Sequence, residues 1–200
     1  MKLKDYKLII TVTGLIGILL VATPALINII GSPGGEQFSE LYLLGPKQTI
    51  ADYPYNIAAD QNYSVYANVV NYQGASAFYV LYVKFQNMTD PLPDPTSMMP
   101  SSVPPLYEYQ FSVPNGKTWD SLLTFSISNA TIVANQSVVK TVTINNFKYE
   151  VNTPDLFGSK STAFNYRIVF ELWLYNATSN SIQFSNRFVD LELNLTRSTS

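Results

Sequence analysis

The stretch Phe164-Asn165-Tyr166-Arg167-Ile168-Val169-Phe170-Glu171-Leu172-Trp173-Leu174-Tyr175 sets the fold class. Phe164, Tyr166, Ile168, Phe170, Leu172 and Leu174 fall on one face of a strand. The other face carries Asn165, Arg167 and Glu171 with Val169, Trp173 and Tyr175. Side chains alternate across a strand, so a period of two marks an element with one face on a core and one in water.

The same period continues outward from this stretch. Val189 to Leu195 sets Val189, Leu191, Leu193 and Leu195 against Asp190, Glu192 and Asn194. Strands are also expected over Phe38–Leu44, Tyr63–Asn71, Phe78–Gln86, Tyr107–Val113, Ser121–Ser128, Val138–Ile144 and Phe147–Val151. Turn signals separate them: Gly45-Pro46, Tyr53-Pro54, Gln73-Gly74, Asn115-Gly116, Asn145-Asn146 and Thr178-Ser179-Asn180-Ser181. Short strands without an amphipathic helix beyond residue 30 predict an all-β domain over residues 38–197. The expected form is an antiparallel, immunoglobulin-like sandwich.

One loop interrupts the rhythm. Asp90 to Pro105 holds six of the twelve prolines. Proline cannot join a sheet interior, so the segment is expected to be an extended, polyproline-like surface loop. It reads as a spacer between strands or as a functional loop, since loops of this length often carry function.

The N-terminus differs from the rest. Lys2, Lys4 and Lys7 with Asp5 precede a run from Leu8 to Ile30 without a charge. That run would span roughly 34 Å as a helix, against about 30 Å for a bilayer core. Basic residues before it and Glu36 and Glu40 after it place the N-terminus in the cytoplasm and the remainder outside. A shorter apolar core, Leu8 to Val21, followed by Thr23, Pro24 and Ala25, also suits a signal peptide cleaved before Leu26. Residues 1–30 are thus a transmembrane anchor or a signal segment, and residues 31–37, rich in glycine, are a linker. After cleavage the protein would be secreted. Leu26, Ile27, Asn28, Ile29 and Ile30 could then add as a donor strand to a neighbour's sheet edge, building a filament.

Composition removes several chemistries. The chain has no cysteine and no histidine. Disulfides, thiolate catalysis, Cys-based metal sites and Ser-His-Asp catalysis are therefore excluded. A net charge of −2 supplies no basic surface for nucleic acid. Charged residues make up only 13%, so few groups can link folding to pH, and stability should change little between pH 7 and pH 3.

Certain segments carry a resemblance. Phe38-Ser39-Glu40-Leu41-Tyr42-Leu43-Leu44-Gly45-Pro46, then Asp52-Tyr53-Pro54 and the strand ending in Val70-Asn71, resemble an uncharacterised archaeal family of membrane proteins. Pro104-Pro105-Leu106-Tyr107-Glu108 and Asn115-Gly116-Lys117-Thr118-Trp119 are similar to it too. The resemblance implies a β-rich domain facing outward after a transmembrane part, and no defined activity. The single apolar segment here departs from the family's longer members. More distantly, the chain resembles the β-sandwich subunits of archaeal surface threads.

Candidate sites are few. Asn62, Asn87, Asn129, Asn135, Asn176 and Asn194 each open an Asn-X-Ser/Thr triplet, an acceptor for N-linked glycan in an exported domain. Asp90, Asp94 and Glu108 are the carboxylates around the proline-rich loop. A glycosidase would need two carboxylates facing across a cleft, and a calcium site several converging oxygens. Solvated or structural roles are the expectation for these three. Trp119 and Trp173, with 14 tyrosines, could form a sugar-stacking surface or pack in the core. The sequence thus predicts a non-enzymatic structural or interaction protein of the cell surface. It would hold the membrane through its N-terminal segment, carry glycans, bind no cofactor or metal and form possible homo-oligomers. The alternatives are a secreted filament subunit and a carbohydrate- or ligand-binding module.

Overall fold

A computed structural model describes residues 3–30, 36–133, 136–156 and 164–196. Two compact units divide the chain, Met1–Gln37 and Phe38–Ser200.

The first unit contains one helix, α1 (Leu3–Ile30). Leu26, Ile27, Ile29 and Ile30 form its last turns, where a donor strand would require extended backbone. Among the described residues no helix is long and apolar enough to cross a membrane. The side chains described within α1 are those of Tyr6, Lys7, Ile10 to Leu20 and Thr23.

The second unit is two five-stranded sheets. Its strands are β1 (Phe38–Leu44), β2 (Asn56–Ala58), β3 (Tyr63–Tyr72), β4 (Ala77–Asn87), β5 (Tyr107–Val113), β6 (Thr118–Val133), β7 (Gln136–Ile144), β8 (Phe147–Leu156), β9 (Phe164–Asn176) and β10 (Ser181–Thr196). The first sheet has the order β1-β3-β6-β7-β8, the second β2-β10-β9-β4-β5. Antiparallel pairing holds except where β2 runs parallel to β10, Asn194 to Thr196 opposite Asn56 to Ala58. The expected all-antiparallel pairing is corrected there. β2 follows Pro54 closely and is too short to show alternation.

The inner faces of both sheets meet in one core. Val65, Ala67, Leu123, Phe125, Ile127, Val142 and Ile144 come from the first sheet. Leu81, Val83, Phe85, Ile168, Phe170, Leu172 and Leu193 come from the second. Apolar burial at about 25 cal/mol per Å2 drives this association. In the second sheet β9 lies between β10 and β4, and in the first β6 lies beside β3 and forms a meander with β7 and β8.

The proline-rich loop corrects the expectation of an extended run at its tip, and its base packs on the sheet. Asp94 and Met99 exchange backbone hydrogen bonds of 2.8 and 3.0 Å, closing its tip. Ser101 is buried, and its backbone bonds reach Lys84 and Glu171 on β4 and β9. The loop therefore covers part of the second sheet's outer face. Arg167 and Glu171, expected in water from the alternation, are buried there.

Candidate functional site

Three polar constructions organise the β unit. The first lies beneath the loop. Lys84 Nζ donates to Glu171 Oε1 at 2.8 Å and to the Ser101 carbonyl at 2.7 Å. Glu171 Oε1 also accepts the Ser101 N–H at 2.9 Å, and Oε2 accepts Trp173 Nε1–H at 3.3 Å. Ser101 Oγ donates to Gln86 Oε1 at 3.1 Å. Glu171 is fully buried and Lys84 nearly so. A buried charge pair needs further hydrogen bonds around it, and here Ser101 and Trp173 supply them. The arrangement fastens the loop and is closed to a substrate.

The second construction sits where the chain enters the β unit. Asn71 is fully buried. Its Nδ2 donates to the carbonyls of Ala75 and Val113 at 2.8 and 2.7 Å. Its Oδ1 accepts Gln73 N–H at 2.9 Å and the Tyr79 hydroxyl at 3.0 Å. One asparagine thus satisfies both donors and both acceptor positions while tying two turns to β4. Burial pushes the Tyr79 phenol above its usual range, opposed by its hydrogen bond with Ser39.

The third joins the two motifs of the family resemblance. Gly45 N–H donates to the Thr49 carbonyl at 2.7 Å, and Gln48 N–H to the Gly45 carbonyl at 2.9 Å. A Cβ on Gly45 would lie 1.9 Å from the Ala51 oxygen, so only glycine fits. The Tyr53 hydroxyl then donates back to the Leu43 carbonyl at 2.8 Å. Leu-Gly-Pro and Asp-Tyr-Pro are two ends of one folded loop.

The residues singled out in the sequence separate on this scaffold. Asn62, Asn129 and Asn176 are exposed. Asn87 is not free: its Nδ2 donates to the Pro154 carbonyl at 2.9 Å while its Oδ1 caps Thr89 and Asp90. Asn194 Nδ2 donates to Asn56 Oδ1 at 2.7 Å. Asn135 lies outside the described residues, but Ser137 of its triplet is buried against the Tyr166 hydroxyl. Desolvation drives the Tyr166 phenol up to about 12, against the lowering effect of that bond.

Asp90, Asp94 and Glu108 do not converge. Asp90 accepts Asn87 N–H at 3.2 Å. Asp94 accepts Thr96 N–H at 2.9 Å and the Ser97 hydroxyl at 2.6 Å, bonds that hold its carboxyl below the usual range. Glu108 accepts from Gln110. Among the described residues no three or more acidic groups cluster to hold a metal. Trp119 lies flat on Phe111 with ring centroids 3.7 Å apart, and Trp173 meets Tyr82 edge-on at 5.4 Å. Both indoles are engaged in packing.

The sequence reading missed Lys84, Gln86, Ser101 and Glu171. A signal was present: Glu171 shares its strand face with Val169 and Trp173, and apolar neighbours around a charge mark a covered face.

These features define a two-sheet β protein whose polar interior groups hold its loops. The chain belongs to a family described as a domain of unknown function (DUF1616), which matches residues 32–135. All the resembling segments named above fall within that span. No curated protein sequence matches. Among solved structures, a mutant β-glucosidase from Listeria innocua in complex with laminaribiose is similar over 82% of this chain and 17% of its own. Its identity is 9% and its TM-score 0.44. A β-glucosidase structure from the same organism gives 9% and 0.42 over the same shares. The chain thus spans under a fifth of the length of these enzymes.

Proposed function

We propose that this protein is a non-enzymatic structural or interaction component of an archaeal cell surface. In this reading α1 anchors it in the membrane with the N-terminus in the cytoplasm. The β unit, an immunoglobulin-like sandwich, faces outward and carries N-linked glycans. The observation that carries the reading is the uncharged run Leu8 to Ile30 within a 28-residue helix, with lysines on one side of it. A helix of that length spans about 42 Å, and its basic flank fits the positive-inside rule. The engagement of the candidate carboxylates and indoles in loop bonding and packing favours a binding or structural role over catalysis.

Cell fractionation tests the proposal. The full-length protein should sediment with membranes, resist carbonate and high salt, and dissolve only in detergent. An intact mass beginning at or near Leu26, or recovery from the soluble fraction, would overturn it.

A further inference from the structure

The edge of the first sheet, β1, and that of the second, β10 with β2, border a cleft of about 390 Å3. Tyr42, Tyr53, Tyr55, Val189, Asp190 and Glu192 line it. The three tyrosines are 37%, 38% and 50% exposed. Trp119 and Trp173 spend their rings on other rings. Tyr42, Tyr53 and Tyr55 make no ring contact among the described residues.

The fold nevertheless holds two of them by the backbone and one by its ring. Tyr53 is pinned by its hydroxyl bond to Leu43. The Tyr55 carbonyl accepts Asn194 N–H at 2.7 Å. Tyr42 sits in the β1–β3 ladder opposite Asn68. Asp190 stands 3.7 Å from the Arg167 guanidinium. Glu192 forms no ion pair, and the Tyr42 and Tyr55 hydroxyls no hydrogen bond, among the described residues. The cleft offers one held aromatic face, two uncommitted phenols on anchored backbone and an uncommitted carboxylate beside an apolar wall. Groups fixed before binding lose little freedom on capturing a ligand.

We propose that this cleft binds a neutral oligosaccharide. A sugar presents a face of C–H bonds, which lies on an aromatic ring, and an edge of hydroxyls, which donate to carboxylates and phenols. Arg167 offsets Asp190, which leaves Glu192 as the one uncompensated charge in the lining, an acceptor for the hydroxyls of an uncharged sugar. A quaternary ammonium would need rings closing on one point, whereas these three have no mutual contact. The volume is that of a small-ligand site. The proposal does not depend on α1 being an anchor.

The test uses the full chain, produced without glycosylation and held in a polyoxyethylene detergent so that no sugar headgroup competes. Maltotetraose, cellotetraose and a β-linked mannotetraose are titrated separately while backbone amide signals are followed by NMR. At least one tetraose should bind with a Kd on the order of 1 mM or tighter. Shifts should fall on β1, residues 53–56 and residues 189–192. Tyr42→Ala and Tyr55→Ala should each weaken binding about tenfold or more without changing the far-ultraviolet dichroism. Tyr53→Phe, which removes only the bond to Leu43, should weaken it less. Three results would overturn the proposal. No tetraose shifts these amides; binding survives in the Tyr42→Ala/Tyr55→Ala double variant; or tetramethylammonium chloride shifts them while the sugars do not.

Discussion

The outer faces of the two sheets begin from the same alternation and finish in different surroundings. On the first sheet, Lys148 and Glu150 lie 3.4 Å apart with side chains 66% and 65% exposed. On the second, Lys84 and Glu171 lie 2.8 Å apart and are 4% and 0% exposed. Water solvates the first pair whether or not it forms. The second has given up water and depends on Ser101, Trp173 and each other. The same two residue types are therefore nearly neutral in one place and costly to separate in the other.

The sharpest way to break this comparison is to remove one charge from each pair. Glu171→Gln should cost about 3–5 kcal/mol in urea unfolding, because it strands a buried ammonium. Glu150→Gln should cost about 1 kcal/mol or less. Equal losses would show that the loop does not seal the second face. The double replacement Lys84→Met with Glu171→Leu should recover most of the stability. It still deprives the Ser101 backbone of its partners, so residues 88–106 should lose hydrogen-exchange protection.

Asn71→Ala comes next. It takes a partner from the buried Val113 carbonyl, the Ala75 carbonyl, the Gln73 N–H and the Tyr79 hydroxyl, which keeps only Ser39. A loss of about 2–4 kcal/mol is expected from unpaired buried groups, readable as a lower urea midpoint with an unchanged slope. Gly45→Ala should cost about 1–3 kcal/mol, since the Ala51 carbonyl must move to admit a methyl group. If it is neutral by thermal melting, the turn joining the two family motifs is not as tight as described.

The pH response separates acid from alkali. Tyr166 keeps its proton to about pH 12 in the folded protein, whereas an unfolded tyrosine releases it near 10. Its stabilisation is complete below pH 10 and is lost as pH rises from there toward 12. Tyr79 and Tyr109 are raised by burial too and act in the same direction. On the acid side, Asp94 is held below its usual value by Ser97 and Thr96, and it is fully exposed. Its contribution is present above about pH 4 and disappears as pH falls further. Circular dichroism should show melting temperatures that fall steeply above pH 10 and only slightly between pH 7 and pH 3.

The smallest effects concern glycans. Peptide mapping of the native protein should find sugar on Asn62, Asn129 and Asn176, which are exposed. Asn87 and Asn194 should be bare, because both are half-buried with amide nitrogens donating to Pro154 and Asn56, whereas the Asn176 amide donates only to the exposed Gln183 at 3.2 Å. Asn62→Gln should shift stability by about 0.5 kcal/mol or less. Sugar on Asn194 with a bare Asn62 would reverse the assignment.

Much of the fold was legible. The expected bounds of the strands at Phe38–Leu44 and Tyr107–Val113 are those observed. The others were found but shorter, as with β6, which continues to Val133. The first half of β10 escaped, because Gln183, Ser185 and Asn186 break its alternation. Its register shifts between Phe184 and Arg187, with Asn186 at a positive φ of 58°. The candidate cleft was less legible. The indoles drew attention as potential sugar platforms, yet both are engaged. The tyrosines that stand free lie on β1, on the loop after it and just before β2, brought beside β10 only by the packing of two sheets.

The sequence by itself determined the strands, the turns, the uncharged N-terminal run and the absence of histidine and cysteine chemistry. Each is a property of neighbouring residues or of composition, and alternation along a strand needs no partner to be visible. The tertiary structure decided which face of each sheet meets water. That outcome rests on Lys84 and Glu171, 87 positions apart, and on a serine from the loop between their strands. Nothing local requires such groups to meet. Only folding encloses them, and enclosure in a low-dielectric setting turns ordinary surface residues into a pair of which neither member can be removed alone without a large loss of stability.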